Sequence, residues 1–243
     1  MFVFWFEIFK PTIYTIKCAR RYDFFSTRAI IVAINLHFGQ EFTIFVVEDM
    51  SMERVFCDIH THYPRADRLS PTMAGVHPWQ AECYTAIPDL SAADMVGETG
   101  LDYATDIDRE AQERLFRLHL AEAERLHKVV VVHCVRAFEE LMKIVADYQL
   151  RGLIFHGFIG STQQAKRCFE RGYYLSFGER SLCSPRTREV IATVPAERLF
   201  VESDDDADCD IEKLYHKIAF IRNTSVEELR KQTITNYETL IKR

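Results

Sequence analysis

Eight side chains able to hold a divalent ion stand at or near the ends of short apolar runs. Asp58 lies within VFCDI (55–59), His60 and His62 follow it, His77 ends MAGVH (73–77), and Glu98 lies within MVGETGLD (95–102). His133 lies in VVVVHCV (129–135), His156 in GLIFHGF (152–158), and Asp204 ends RLFVESD (198–204). His60 and His62 alternate, so an extended segment projects both imidazoles from one side. Imidazole and carboxylate without thiolate suit Zn²⁺, Mn²⁺ or a related divalent ion. His60, His62, His133 and His156 with Glu98 and Asp204 are more than one tetrahedral site uses. They match two ions about 3.5–4 Å apart that share a bridging carboxylate. A lone histidine in an apolar strand is more often a satisfied core residue; the series at successive strand ends is what points to a metal centre.

Residues so far apart meet only if the strands that carry them run parallel and end together. With YYLSFG (173–178), seven strand-like runs follow Met52. Amphipathic segments separate them. Phe116, Leu120 and Ala123 predict a helix over 108–127, and Phe138, Leu141, Met142 and Val145 trace a second apolar face. Ser161 with Gln164 and Ser225 with Glu228 have the capping-box pattern, and Ser184-Pro185 places a cap before a first-turn proline. Ile211, Leu214, Tyr215 and Ile218 mark another helical face. Such alternation implies a parallel sheet covered by helices. The polar strand ends favour an α/β, TIM-barrel-like β/α barrel, whose C-terminal mouth would gather them, over an open doubly wound sheet.

The 243 residues are 48% hydrophobic and 27% charged, which excludes a disordered, collagen-like or polytopic membrane chain. The formal net charge of −6 argues against a general electrostatic grip on nucleic acid, though not against a local phosphate site. Seven cysteines, scattered and without C-x-x-C, indicate reduced thiols and a cytoplasmic location.

Residues 1–51 carry half of the eighteen phenylalanines. The opening MFVFWFEIFK lacks the basic start and small-residue cleavage site of a signal peptide. The apolar stretch 29–47 is interrupted by Asn35, His37, Gln40 and Glu41, so no membrane span is expected. Met50 and Met52 directly precede the first motif. Residues 1–51 are therefore expected to be an N-terminal extension outside the catalytic domain, either an upstream translation or an appended arm. Its strand-like runs are AIIVAINLHF (29–38) and FTIFVV (42–47), with Gly39-Gln40 between them.

Six blocks carry a resemblance to a known family. Asp58-Ile-His60-Thr-His62, Gly75-Val-His77-Pro-Trp79, Gly97-Glu98-Thr-Gly100-Leu-Asp102, Val132-His133, His156-Gly-Phe-Ile-Gly160 and Glu202-Ser-Asp204 occur in the order seen in the TatD family of metal-dependent hydrolases. The match spans residues 55–240, so residues 52–243 resemble a TatD-like hydrolase barrel. The resemblance implies a distorted, amidohydrolase-like barrel, two divalent ions (zinc, manganese or magnesium) and hydrolysis of phosphodiester bonds in DNA. His60, His62, Glu98 and Asp204 would hold one ion; Glu98, His133 and His156 would hold the second, with Glu98 as the bridge. Asp204 would also take the proton of the attacking water, and His77 and Arg136 would contact substrate phosphate. Arg136 could equally be a surface residue pairing with Glu139 or Glu140.

Two departures stand out. Only ten residues (63–72) separate the first two blocks, where relatives insert a helix and another strand. A compacted, seven-stranded or incompletely closed barrel is expected, unless runs from the extension fill the gap. Asp205 follows Glu202-Ser203-Asp204 where relatives have proline, and Asp206, Asp208 and Asp210 continue the run. That run is either a helix-start cluster before Ile211 or a source of repulsion towards a polyanion. The leading expectation is a deoxyribonuclease acting on ester bonds. The alternatives are a two-metal hydrolase of a small ester, amide or lactam, and a metal-binding protein without turnover. No stable protein partner and no membrane are implied. His37, His119, His127 and His216 are expected to have no part in catalysis.

Overall fold

The computed structural model describes residues 22–24, 27–32, 45–48 and 55–242. It divides into two units, Met1–Val55 and Phe56–Arg243. In the first, β1 (Tyr22–Phe24), β2 (Thr27–Val32) and β3 (Phe45–Glu48) form an antiparallel sheet in that order. The second predicted run of the extension thus shifts to end at Glu48, while Gly39-Gln40 and His37 fall outside the described residues. These strands pair among themselves.

The second unit contains β4 (Phe56–Cys57), β5 (Arg68–Leu69), β6 (Met73–Ala74), β7 (Met95–Asp102), β8 (Val129–Val135), β9 (Gly152–Phe155), β10 (Tyr174–Phe177) and β11 (Leu199–Val201). Six of them form a parallel sheet in the order β11-β10-β9-β8-β7-β6, and β4 pairs in parallel with β5. Backbone bonds close the ring. Ile59 N donates to Val201 O at 3.1 Å, Asp204 N to His60 O at 3.0 Å, and His62 N to Asp204 O at 2.9 Å. On the other side one stretch serves two neighbours. Leu69 pairs with Cys57, and after Pro71, which has no N–H to donate, Met73 pairs with Met95. Seven strand positions therefore complete a small barrel. Residues 68–69 lie in the ten-residue interval 63–72 between the first two blocks, where no strand was expected.

Helices follow the later strands: α1 (Arg109–Leu126), α2 (Phe138–Val145), α3 (Thr162–Glu170), α4 (Glu179–Leu182), α5 (Pro185–Thr193), α6 (Ile211–Arg222) and α7 (Val226–Tyr237). None follows β4, and only the 3₁₀ turn Pro78–Cys83 follows β6, which is where the chain is compacted. Ser161, Ser184 and Ser225 cap their helices as predicted. Asp210 accepts from Lys213 N and caps α6, so the last member of the aspartate run is a helix start.

Period-two alternation splits the strands between two apolar layers. Cys57, Ile59, Met95, Val129, Val131, Ile154 and Phe200 fill the inside of the ring. Val130, Val132, Leu153, Phe155, Leu175 and Phe177 pack outward with Phe116, Leu120 and Leu141 of the helices. Each fully buried leucine or phenylalanine contributes roughly 1.5–3 kcal/mol of burial free energy. Among the described residues no helix is long and apolar enough to cross a membrane.

Candidate metal centre

The columns that fill the ring continue into polar residues at its C-terminal mouth. Val129 and Val131 lead to His133, Ile154 leads to His156, and Phe200 leads to Glu202 and Asp204. On β7 the register slips: Val96 faces Val130 but Thr99 faces Val132, so one extra residue is accommodated around Gly97-Glu98. A bulge of this kind re-aims a side chain, here that of Glu98. Gly100 has φ 139, and a Cβ there would overlap the backbone of His133, so glycine lets β7 press against β8 beside Glu98.

Four imidazoles surround Glu98 most closely, and a fifth stands at its edge. Its Oε1 lies 2.6 Å from His156 Nε2, 2.8 Å from His133 Nδ1 and 3.3 Å from His77 Nε2. Its Oε2 lies 3.5 Å from His60 Nε2 and 3.6 Å from His62 Nε2. Asp204 Oδ1 is 3.2 Å from His60 Nε2 and 3.7 Å from His62 Nε2. The donors of His60, His62, Glu98 and Asp204 all lie within 4.8 Å of one another, as do those of His77, Glu98 and His133. The two oxygens of one carboxylate thus face two histidine groups.

His60 Nδ1 and Nε2 and His156 Nδ1 are buried and have no aligned hydrogen-bond partner. Leaving such nitrogens unsatisfied is costly. An imidazole nitrogen 3.2 Å from one carboxylate and 3.5 Å from another, with no hydrogen bond to either, is placed as a ligand would be. The donor set therefore fits divalent ions.

Two carboxylates that sequence reasoning left without a role stand behind the imidazoles. Asp102 Oδ2 is 3.1 Å from His133 Nε2 and accepts Trp79 Nε1 at 2.7 Å. Glu202 Oε1 lies 3.6 Å from His156 Nδ1 and accepts from Gly157 N, while Oε2 accepts Ser176 Oγ at 2.5 Å. Carboxylates behind ligating histidines fix ring orientation and tautomer. The signal for Asp102 was its place four residues after Glu98 on one strand; Glu202 sat two residues before Asp204.

Asp58 does not join the cluster, although its position suggested an ion ligand. It is fully buried and accepts from Ser203 N at 2.8 Å, Ser203 Oγ at 2.7 Å and Arg68 Nη1 at 3.0 Å. Arg68 Nη2 in turn donates to Cys209 O at 2.6 Å. This clamp holds the loop that presents Asp204, whose own φ is 54°. His77, assigned to substrate phosphate by resemblance, stands beside Glu98 and His133, and its Nδ1 accepts from Trp79 N at 3.2 Å. Arg136 is exposed and makes no ion pair among the described residues. The surface-pair alternative does not hold, because Glu139 is bound by Arg167 at 2.5 and 2.8 Å and Glu140 by Lys143 at 3.5 Å. Asp205 is paired with Arg180 at 2.9 Å, whereas Asp206 and Asp208 are exposed.

Burial opposes the charge on Glu98, but contacts with His133, His156, His60 and His77 outweigh it and hold the carboxyl far below the usual range. Burial likewise opposes ionisation of Asp204, and its contact with His60 still lowers it. Burial disfavours protonation of His60, yet Asp204 and Glu98 push its pKa up to about 9. His60 is therefore protonated in the metal-free site at neutral pH, and an entering ion must expel that proton. Metal affinity should rise about tenfold per pH unit for that proton and level off above about pH 9. Calorimetry in buffers of different ionisation enthalpy reads the released proton; uptake without proton release would contradict the assignment.

The pattern of the TatD related DNase family matches residues 40–242. The 3'-5' ssDNA/RNA exonuclease TatD of Shigella flexneri is 35% identical over 146 residues, covering 54% of this chain and 56% of the relative. An uncharacterized metal-dependent hydrolase of Bacillus subtilis is 32% identical over 126 residues, covering 49% of each chain. The chain thus spans only a little over half the length of the Shigella relative and about half that of the Bacillus one. A TatD homologue from Escherichia coli K12 superposes with a TM-score of 0.62 at 24% identity, over 72% of this chain and 77% of the other. A hydrolase of the TatD family from Entamoeba histolytica superposes with a TM-score of 0.60 at 17% identity, over 72% and 75%. With a barrel of seven strand positions, five histidines converging on Glu98, and a family match over most of its length, this chain belongs to the TatD related DNase family.

Proposed function

We propose that residues 52–243 form a metal-dependent phosphodiesterase that cleaves single-stranded DNA, with residues 1–51 outside its catalytic machinery. The observation that carries this reading is the buried imidazole of His60, whose ring nitrogens have no hydrogen-bond partner among the described residues and whose Nε2 faces Glu98 and Asp204. The exonuclease names of the relatives support a nucleic-acid substrate. In this reading His60, His62, Glu98 and Asp204 hold one ion. Glu98, His133 and His156 hold the second, with His77 at its edge. Bound divalent ions supply Lewis acidity towards a phosphoryl oxygen and lower the pKa of a water towards neutrality. Asp204, kept ionised, accepts a proton at Oδ1 or Oδ2. Asp102 and Glu202 keep His133 and His156 oriented. Arg136, an exposed cation without an ion-pair partner among the described residues, holds a phosphate of the substrate. The six free cysteines among the described residues support a reducing, cytoplasmic compartment.

The test pairs metal content with hydrolysis of a single-stranded oligonucleotide before and after chelation. About two equivalents per chain are expected, with activity lost to chelator and restored by Mg²⁺, Mn²⁺ or Zn²⁺. A chain starting at Met52 should behave alike. The log of kcat/KM should fall against log salt with a slope of roughly −0.7 per phosphate contact. Two equivalents without DNA cleavage would move the assignment to a small ester, amide or lactam; no bound metal and no cleavage would overturn it.

A further inference from the structure

A cavity of about 520 Å³ opens beside the carboxylate cluster, between the start of α2 and the loop after β9. Tyr103, Arg136, Phe138, His156, Phe158 and Ile159 line it. Its size is that of a site for one small organic group. His156 belongs to both spaces, since its Nε2 lies 2.6 Å from Glu98 Oε1. A phosphate engaged at the cluster would therefore place its next substituent in this cavity. The cavity's charge is equally specific. Glu139 and Glu140, both in its lining, are paired with Arg167 and Lys143, whereas Arg136 has no ion-pair partner among the described residues. The lining thus offers aromatic and aliphatic surface with one free cation at its edge. Phe138 is held against Phe155 at 5.7 Å and Phe158 against Phe177 at 6.2 Å, so the aromatic walls are fixed before anything binds. Ile159, an apolar side chain, is 59% exposed at this cavity.

We infer that this cavity receives the unpaired base of a nucleotide flanking the scissile phosphate, with Arg136 at the phosphate and Ile159 against the base. The inference rests on the phosphodiesterase reading for its position in the reaction. A base still paired in a duplex cannot enter, so strand selectivity arises at this cavity and not from a basic groove. Base–aromatic contacts of this kind are each worth about tenfold in affinity.

Two readouts test it on the full chain and on Ile159→Asp. With chelator present, calorimetry compares thymidine monophosphate with deoxyribose 5-phosphate. With Mn²⁺ added, kcat/KM compares oligothymidylates that are intact or abasic at either nucleotide flanking the cut. The full chain should prefer the base-bearing partner by about tenfold or more in each comparison, and Ile159→Asp should lose that preference. The exposure of Ile159 keeps the fold out of the result, which circular dichroism verifies. Equal binding of the two phosphates by the full chain, or an unchanged preference in Ile159→Asp, overturns the inference. Base-dependent binding with no cleavage of any oligonucleotide upholds the cavity and sinks the phosphodiesterase reading. Cleavage indifferent to the base does the reverse.

Discussion

Glu98→Gln is expected to abolish turnover while leaving the barrel folded. Oε1 faces His133, His156 and His77, and Oε2 faces His60 and His62, so one neutralised side chain removes charge from both halves of the centre. Loss of an outer partner of a metal site costs about 10–100-fold. Loss of the shared carboxylate should exceed that and take kcat down by about 10³-fold or more, with both equivalents of metal weakened. Gln keeps the volume, and Glu98 lies at the mouth and not among the apolar residues that fill the ring. His60→Ala should instead weaken a single equivalent, because its Nε2 faces Asp204 Oδ1 and Glu98 Oε2 and not the Oε1 that meets His133 and His156. Metal content, kcat and circular dichroism on the two variants check this. Normal turnover in Glu98→Gln would remove the bridge.

Asp58→Ala is expected to cause the largest loss of stability, about 3–5 kcal/mol, because it strands the buried guanidinium of Arg68. It also frees Ser203 N and Oγ, which both donate to Asp58. For a unit of this size the loss corresponds to roughly 6–20 °C in Tm. Urea unfolding of the metal-free protein gives the magnitude. The double variant Asp58→Leu, Arg68→Leu should recover much of it, since no charge is then left unpaired. A loss below about 1 kcal/mol in Asp58→Ala would show that the clamp is solvated and unimportant.

The sequence carried the helices well because their faces are amphipathic. Phe116, Leu120 and Ala123 on α1 are all fully buried, and so are Leu214, Tyr215 and Ile218 on α6. The strands are harder, since both faces of VVVVHCV are apolar. Only His133 at the end shows that Val129 and Val131 point inward. β5 escaped notice because two paired residues carry no periodicity and Arg68 looks like a surface charge. Within the site, spacing could not separate a ligand from a clamp. Asp58 and Asp204 both end apolar runs, but Asp58 meets Arg68 and Ser203 where Asp204 meets His60. The spacing of Asp102 and Glu202 from Glu98 and Asp204 marked their strands but not their role, because their partners are the far sides of imidazole rings. His119, expected to be structural, is: its Nε2 accepts from Val76 N at 3.0 Å, and its Nδ1 lies 2.8 Å from Leu115 O.

The bonds that shut the ring join the segment bearing His60 and His62 to the segment bearing Asp204. The clamp alongside spans 145 residues, from Asp58 to Ser203. Contacts of such sequence separation bear a large loop-closure cost and tend to form late in folding. During synthesis the earlier histidines emerge well before Asp204 does. A nascent or partly folded chain therefore lacks a complete set of donors, and the cluster around Glu98 is assembled only with the last strand.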